Sequence, residues 1–500
     1  MSSERLYLGI DLGTSSVKAV LIDRSGDVRA SASSPLTVQH PHPRWSEQDP
    51  EAWWRATEDA VERVLKADGV DARQVAALGL SGQQHGATLL DADGRVLRPA
   101  ILWNDGRSDV ECAELEQLKD FRAITGNLAM PGFTAPKLLW VRKHEPEIFA
   151  KIAKVLLPKD YLRFRLSGSF MTDASDAAGT LWLDVAARQW SDRMLAACGL
   201  ERSQMPEVRE GSEAAGALRD ELAERWNLLP GLPIAAGGGD NAAGAVGVGI
   251  VRDGQAMLSL GTSGVYFAVA DGFKALPDQA VHSFCHALPG TWHLMSVMLN
   301  SANCLDFTAR LTGFADIPAL LEAAEQRGLQ PNGPLFLPYL TGERTPHNDA
   351  HLRGSFTGLG PNTERADLAN ATLEGVGLGL LDGFLAVEST GYRAEEITVI
   401  GGGCRSDYWT QMLADILGRR LVLRAGGEVG PALGAARLAR LAVEPDASID
   451  DVCPMPAVRA VREPNAERHA HFRRVRHPLF RRAHAQLRPL YAEQSAETKE

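Results

Sequence analysis

The chain has 500 residues, 45% of them hydrophobic and 23% charged, which is too long for one small module and too apolar for a disordered chain; at roughly 100 to 200 residues per domain it divides into about two to four domains. Its 52 basic and 63 acidic residues leave a net charge of -11, which argues against broad attraction to nucleic acid or an anionic membrane and points to small-molecule partners. Six scattered cysteines without a CxxC pair, no signal-like N-terminus and no long apolar run lead us to expect reduced thiols in a cytoplasmic protein, neither exported nor anchored.

In chain order, 6–12, 17–23 and 28–34 read as three short strands of an antiparallel meander, the first turn being Gly13-Thr14-Ser15. Helical apolar spacing follows over 51–66, a strand over 75–82, a short strand over 100–103 and a helix over 107–118. Strands alternating with helices predict a layered α/β domain. Glycine clusters (GLSGQQHG, AAGGGDNAAGAVGVG, LSLGTSG, IGGGC) mark turns where backbone approaches a ligand or another element closely. Near the end, the Arg/His-rich stretch 468–488 carries Phe472, Val475, Leu479, Phe480 and Leu487 at partly helical spacing around Pro478, the pattern of a surface helix docked on the body. The polar tail AEQSAETKE is expected to fray.

Internal repetition organises the whole chain. LGTSSV at 12–17 recurs as LGTSGV at 260–265, each copy between two apolar strands, at an offset of 248, close to half the length. A duplicated domain would place two glycine-containing hairpin turns across a cleft. Backbone N–H groups and the hydroxyls of Thr14 and Thr262, beside Gly13 and Gly261, would then hold a polyphosphate from both sides. Neither turn is a Walker A loop. Asp11 in the first copy is replaced by Ser259 in the second. A carboxylate beside phosphates is repelled unless a divalent cation lies between them, so Asp11 is the candidate Mg²⁺ ligand.

The segments GIDLGTSSVKAVLID, GQQHGATLLD, AILWNDGR, TGNLAMPGFTAPKLLW, LLPKDYLRFRLSG, SDAAGTLWLDV, GGGDNAAGAVGVG, SLGTSGVYFAV, VHSFCHALP, FLPYLTGERTPHN and IGGGCRSDYW together resemble the FGGY family of carbohydrate kinases, over about residues 6–441. Within it the chain looks most like members acting on D-xylulose. The resemblance implies two ribonuclease H-like, actin-like ATPase domains flanking a catalytic cleft, with ATP and Mg²⁺ as co-substrate and cation. Residues 1–247 would carry the sugar site and catalytic base, and 248–500 most of the nucleotide site. It implies Asp240 as the acceptor of the sugar hydroxyl's proton, with Asp11 beside the phosphates. Gln84, His85 and Asn241 would contact the sugar, and Gly402 and Gly403 the adenosine. An ordinary Asp cannot ionise an alcohol in the ground state, but it can orient the hydroxyl and take the proton as the O–P bond forms. The alternative for Asp240 is a plain cap on the helix that follows it. Gln84 departs from relatives that often carry Met there, whereas glycerol kinases have an Arg-Glu pair in place of Gln84-His85. Other ketoses such as ribulose stay open, as does a non-catalytic sensor, although a degenerate kinase would be expected to have lost Asp11, Thr14, Asp240 or Thr262. Sugar and ATP are the expected partners, without nucleic acid or membrane, and a homodimer stays open.

Overall fold

A computed structural model describes residues 5–425 and 430–497 of the chain. The predicted meander is present: β1 (Leu6–Leu12), β2 (Ser16–Asp23) and β3 (Val28–Pro35) pair antiparallel in order. β3 lies at the sheet edge and alternates exposed and buried residues, as a strand with one solvated face must. Helix α1 (Pro50–Leu65) starts where Asp49 accepts a hydrogen bond from the Glu51 N–H, with Pro50 at its first position, two start signals at one place. The strand predicted over 75–82 is β4 (Val75–Gly82), parallel to β1 and central in the sheet. Its apolar character is what burial on both faces requires. The helix expected over 107–118 is shorter, Asp109–Glu116, and the strand expected over 100–103 spans Ala100–Ile101. Helices α2 (Pro158–Ser167) and α3 (Ala174–Ala178) precede β5 (Ala214–Ala217), β6 (Pro233–Ala235), β7 (Gly238–Gly239) and α4 (Asp240–Gly247).

The second sheet repeats the plan. β8 (Ala256–Leu260) and β9 (Gly264–Ala270) form an antiparallel hairpin. β10 (His282–Cys285) and β11 (Trp292–Met298) extend it on one side, and β12 (Glu396–Ile400) pairs parallel with β8 on the other. In both halves a hairpin is flanked by a parallel strand against its first member, which is the duplication expected from the LGTS repeat. Both turn glycines bond back across their own turn, but over different spans: Gly13 N–H reaches the Ser16 carbonyl at 3.0 Å and Gly261 N–H the Ser263 carbonyl at 3.1 Å. Helix α5 (Arg365–Glu388), buried along nearly its whole length, forms the core of this half.

Two contacts join the halves. Helix α6 (Gly430–Val443) packs on α4 and on the first sheet. The approach is so close that a Cβ on Gly434 would lie 1.7 Å from the Ala243 carbonyl oxygen, so only glycine fits there. Elsewhere Phe267, Phe284 and Met295 share one apolar cluster with Phe133, Trp182 and Val185 of the first half. At the C-terminus α7 (His477–Glu497) docks through buried Phe480, with Phe472 just before it, while Val475 is exposed. A buried ion pair reinforces this: Arg476 meets Glu374 at 2.5 and 2.8 Å. The helix continues to Glu497, past where the tail was expected to fray, with Tyr491 buried against Ser355. Residues 498–500 lie outside the described residues. No described helix is long and apolar enough to cross a membrane, and all six cysteines are free thiols.

Candidate active site

Gln84 and His85 leave the end of β4, and His85 adopts a left-handed backbone, φ 67°, a conformation that costs energy for a non-glycine residue. Side chains of the first half hold it there. The His85 carbonyl accepts from Lys137 Nζ at 2.8 Å and from Thr134 Oγ1 at 3.2 Å. Its Nδ1 lies 2.7 Å from the Gly179 carbonyl oxygen, which can only accept, so Nδ1 carries the proton. Burial lowers the His85 pKa to about 3; the ring is neutral and offers Nε2 as an acceptor. Gln84 donates to the Ser175 carbonyl at 3.4 Å and packs on Gly239, where a Cβ would lie 2.6 Å from its amide nitrogen. Part of the glycine run before Asp240 therefore makes room for Gln84.

Asp240 begins α4. Its Oδ1 accepts from the Asn241 N–H at 2.7 Å and from Asn241 Nδ2 at 2.9 Å. Gly239 occupies the cap position, so capping does not account for this carboxylate. Burial first, and then the charge of Asp11, raise the Asp240 pKa to about 7. Asp11 pairs with Lys18 across the β1–β2 hairpin. Burial raises its pKa to about 6, against the opposing effects of Ser81 and Lys18. Oδ1 of Asp11 is buried without a hydrogen-bond partner, an arrangement that a cation would relieve. No group of three or more potential metal-ligating side chains occurs among the described residues. One carboxylate with a free oxygen suits Mg²⁺, which takes few protein ligands and the oxygens of phosphates and water.

Gln84, His85, Asp240 and Asn241 come together on one cavity of about 200 Å³, lined also by Trp103, Phe133, His282, Phe284 and Arg344. Beside it, Thr14 is fixed by groups that sequence reasoning missed. Its hydroxyl lies 3.2 Å from Gln83 Oε1 and accepts from the Trp103 indole at 2.9 Å, and its carbonyl accepts from Gln48 Nε2 at 2.8 Å. Gln48 Oε1 in turn accepts from Gln83 and from Trp53. The opposite turn is clamped by Ser301 N–H to the Thr262 carbonyl and Ala302 N–H to the Gly261 carbonyl, both 2.9 Å. Gly402 and Gly403 open a short turn after β12. A Cβ on Gly402 would meet open space, whereas one on Gly403 would strike the Trp409 ring at 2.7 Å, so packing also requires glycine at 403. A larger hollow, about 900 Å³, is lined by charged residues such as Glu51, Arg98 and Arg165 and by none of the predicted residues. The 200 Å³ cavity is where the chemistry-bearing groups converge.

Behind Asp240 lies a second missed group. Lys159 Nζ, fully buried, meets Asp160 at 2.6 Å and Asp173 at 2.8 Å, the pairing that buried charges require. Asp173 caps α3 and binds the Ser175 hydroxyl, which accepts the Gly239 N–H at 3.2 Å. Arg163 donates to the Ala235 and Ala236 carbonyls at 2.9 and 2.5 Å. The strand that delivers Asp240 is thus gripped from below. The signal for this cluster was present in LLPKDYLRFRLSG, where charged residues interrupt an apolar helix start.

Residues 6–247 match the FGGY family of carbohydrate kinases, N-terminal domain, and residues 256–443 its C-terminal domain. The chain is 58% identical to the xylulose kinase of Escherichia coli (strain K12) over 492 residues, 97% of this chain and 100% of the relative. Among solved structures it is similar to a xyloylose kinase from Brucella ovis, with 48% identity and a TM-score of 0.92 over 98% of this chain and 100% of that one. A gluconate kinase from Lactobacillus acidophilus gives the same TM-score at 26% identity, with the same coverage, so the backbone by itself does not select the sugar.

Proposed function

Because the chain belongs to the FGGY family of carbohydrate kinases, we propose that it transfers the γ-phosphoryl group of ATP to the terminal 5-hydroxyl of D-xylulose, releasing ADP and D-xylulose 5-phosphate. The observation that carries the choice of sugar is the end-to-end identity of 58% with a xylulose kinase. The convergence of Gln84, His85, Asp240 and Asn241 on one small cavity supports it.

The sugar occupies that cavity with its reacting hydroxyl at Asp240. A carboxylate whose pKa lies near 7 is closer to the operating pH than an exposed Asp and is the better proton acceptor. As the O–P bond forms and the bond to ADP breaks, the hydroxyl proton passes to Asp240. His85 Nε2 accepts from one sugar hydroxyl, and Asn241 orients another while tying down the carboxylate. Gly13 with Thr14 and Gly261 with Thr262 hold the phosphates from two sides, and Gly402 leaves room for the nucleoside. Asp11 would hold Mg²⁺, which when bound supplies positive charge against the phosphate oxygens. Residues 1–247 act as the sugar-binding and catalytic unit and 248–500 as most of the nucleotide unit, in a cytoplasmic enzyme. Product identification by ³¹P and ¹³C NMR after incubation with ATP, Mg²⁺ and D-xylulose tests this reading. A kcat/KM for another ketose or polyol above that for D-xylulose overturns the choice of sugar.

A further inference from the structure

The cavity has a wall that the proposed mechanism leaves idle. His282, on edge strand β10, and Arg344, in the GERTPHN segment, both belong to the second half of the chain, and both line the cavity together with Gln84 and His85 of the first. His282 is 4% exposed. Its Nδ1 lies 3.3 Å from Asn127 Oδ1. That oxygen is an acceptor, because it receives the Ser283 N–H while Asn127 Nδ2 donates to the Thr125 and Ser283 carbonyls. Nδ1 of His282 therefore carries the proton, and Nε2 is a lone-pair acceptor, buried and without a partner. An unsatisfied acceptor on a cavity wall is costly unless a ligand donor completes it.

Arg344 supplies the complementary donors. The carboxylate next to it in sequence, Glu343, is engaged elsewhere: its Oε1 accepts from the Leu299 and Arg344 N–H groups at 2.9 and 2.7 Å. Burial raises Glu343 to about 8, against the opposing charge of Arg344. The charge of Arg344 acts on both His85 and His282, whereas the charge acting on Asp240 is that of Asp11. His282, Arg344 and His85 thus share one neighbourhood on the cavity wall. Between the two imidazoles, Phe133 meets His85 at 4.6 Å and His282 at 5.6 Å between ring centroids, an apolar surface that orients both rings.

We infer that His282 and Arg344 are sugar-binding, specificity-determining residues: His282 Nε2 accepts from a hydroxyl of the ketose and Arg344 donates to its carbonyl or hydroxyl oxygens. The sugar then bridges the two halves of the chain instead of lying on the first alone. This rests on the reading that D-xylulose is the substrate, and the test separates the two. Direct binding of D-xylulose by calorimetry, and KM values for D-xylulose and for ATP, are measured for the wild-type enzyme, Arg344→Met, Arg344→Lys and His282→Phe, with melting curves and ATP affinity reporting on folding. Arg344→Met is expected to weaken D-xylulose 10- to 100-fold with ATP KM within twofold, and Arg344→Lys to recover part of the loss. His282→Phe keeps the ring stack and is expected to weaken D-xylulose about 10-fold. A folded Arg344→Met or His282→Phe enzyme with unchanged sugar affinity, or one that loses ATP affinity instead, overturns the inference. A wild-type enzyme that neither binds nor phosphorylates D-xylulose overturns the underlying reading.

Discussion

Replacing Asp240 by Asn is expected to move activity and stability in opposite directions. Burial and the nearby Asp11 raise this carboxyl from 3.8 to about 7, and ionising it inside the fold at pH 8 therefore costs at most about 4 kcal/mol relative to the unfolded chain. The sign follows from linkage. Between about pH 4 and pH 7 the folded protein holds a proton that the unfolded chain has released, so this group's contribution to stability is lost as pH rises through that window. Asn carries no charge and can still accept the Asn241 N–H. The variant should be more stable than the parent at pH 8, by up to about 4 kcal/mol, with the gain vanishing near pH 4. Activity should fall by about 100- to 10,000-fold in kcat, the range for a lost general base, or about 3 to 5 kcal/mol of barrier. Denaturant unfolding at pH 5 and pH 8 reads the first effect, and ADP release coupled to a dehydrogenase reads the second. In the parent enzyme, kcat/KM should decline below about pH 7 as Asp240 takes up its proton. An Asn variant that keeps more than a tenth of kcat, or one no more stable than the parent at pH 8, refutes the reasoning.

Asp11→Asn removes a charge that lifts Asp240, so the acidic limb of the pH profile should move to lower pH while the Mg²⁺ requirement rises; an unmoved limb with unchanged Mg²⁺ dependence counts against both roles. Gln48→Ala withdraws the amide that holds the Thr14 carbonyl and should raise the ATP KM about 3- to 10-fold with little change for D-xylulose; equal effects on both would show a general loosening. Gly434→Ala places a methyl 1.7 Å from the Ala243 carbonyl oxygen, so α4 and α6 must separate. A loss of about 2 kcal/mol or more is expected together with a lower kcat, because Asp240 opens α4; wild-type melting would show that the helices are not pressed together.

Much of the frame was legible because it depends on local signals. The meander and β4 follow from apolar runs bounded by turn residues, and the repeat of LGTS at half-chain offset announced two similar hairpins, which the sheets contain as β1–β2 and β8–β9. Asp240, Asp11, Gln84 and His85 were legible because each stands beside a glycine turn at the end of a strand. Gly403 stands beside such a turn too, and the sequence did not show that its missing side chain also makes room for the Trp409 ring.

What sequence could not supply is the set of partners far apart along the chain. Gln48, Gln83 and Trp103 meet at Thr14, Lys159 and Arg163 brace the strand before Asp240, and His282 and Arg344 reach the cavity of Gln84 and Asp240 from the other half. Proton positions on the two imidazoles, and the upward shift of Asp240, also exist only once burial has removed water and selected which atoms face one another. Residue types and their short-range spacing determine which turns and strands form and which side chains carry chemistry. The charge, tautomer and company of those side chains are set by long-range packing, because solvent exclusion is a property of the assembled halves and of no single segment.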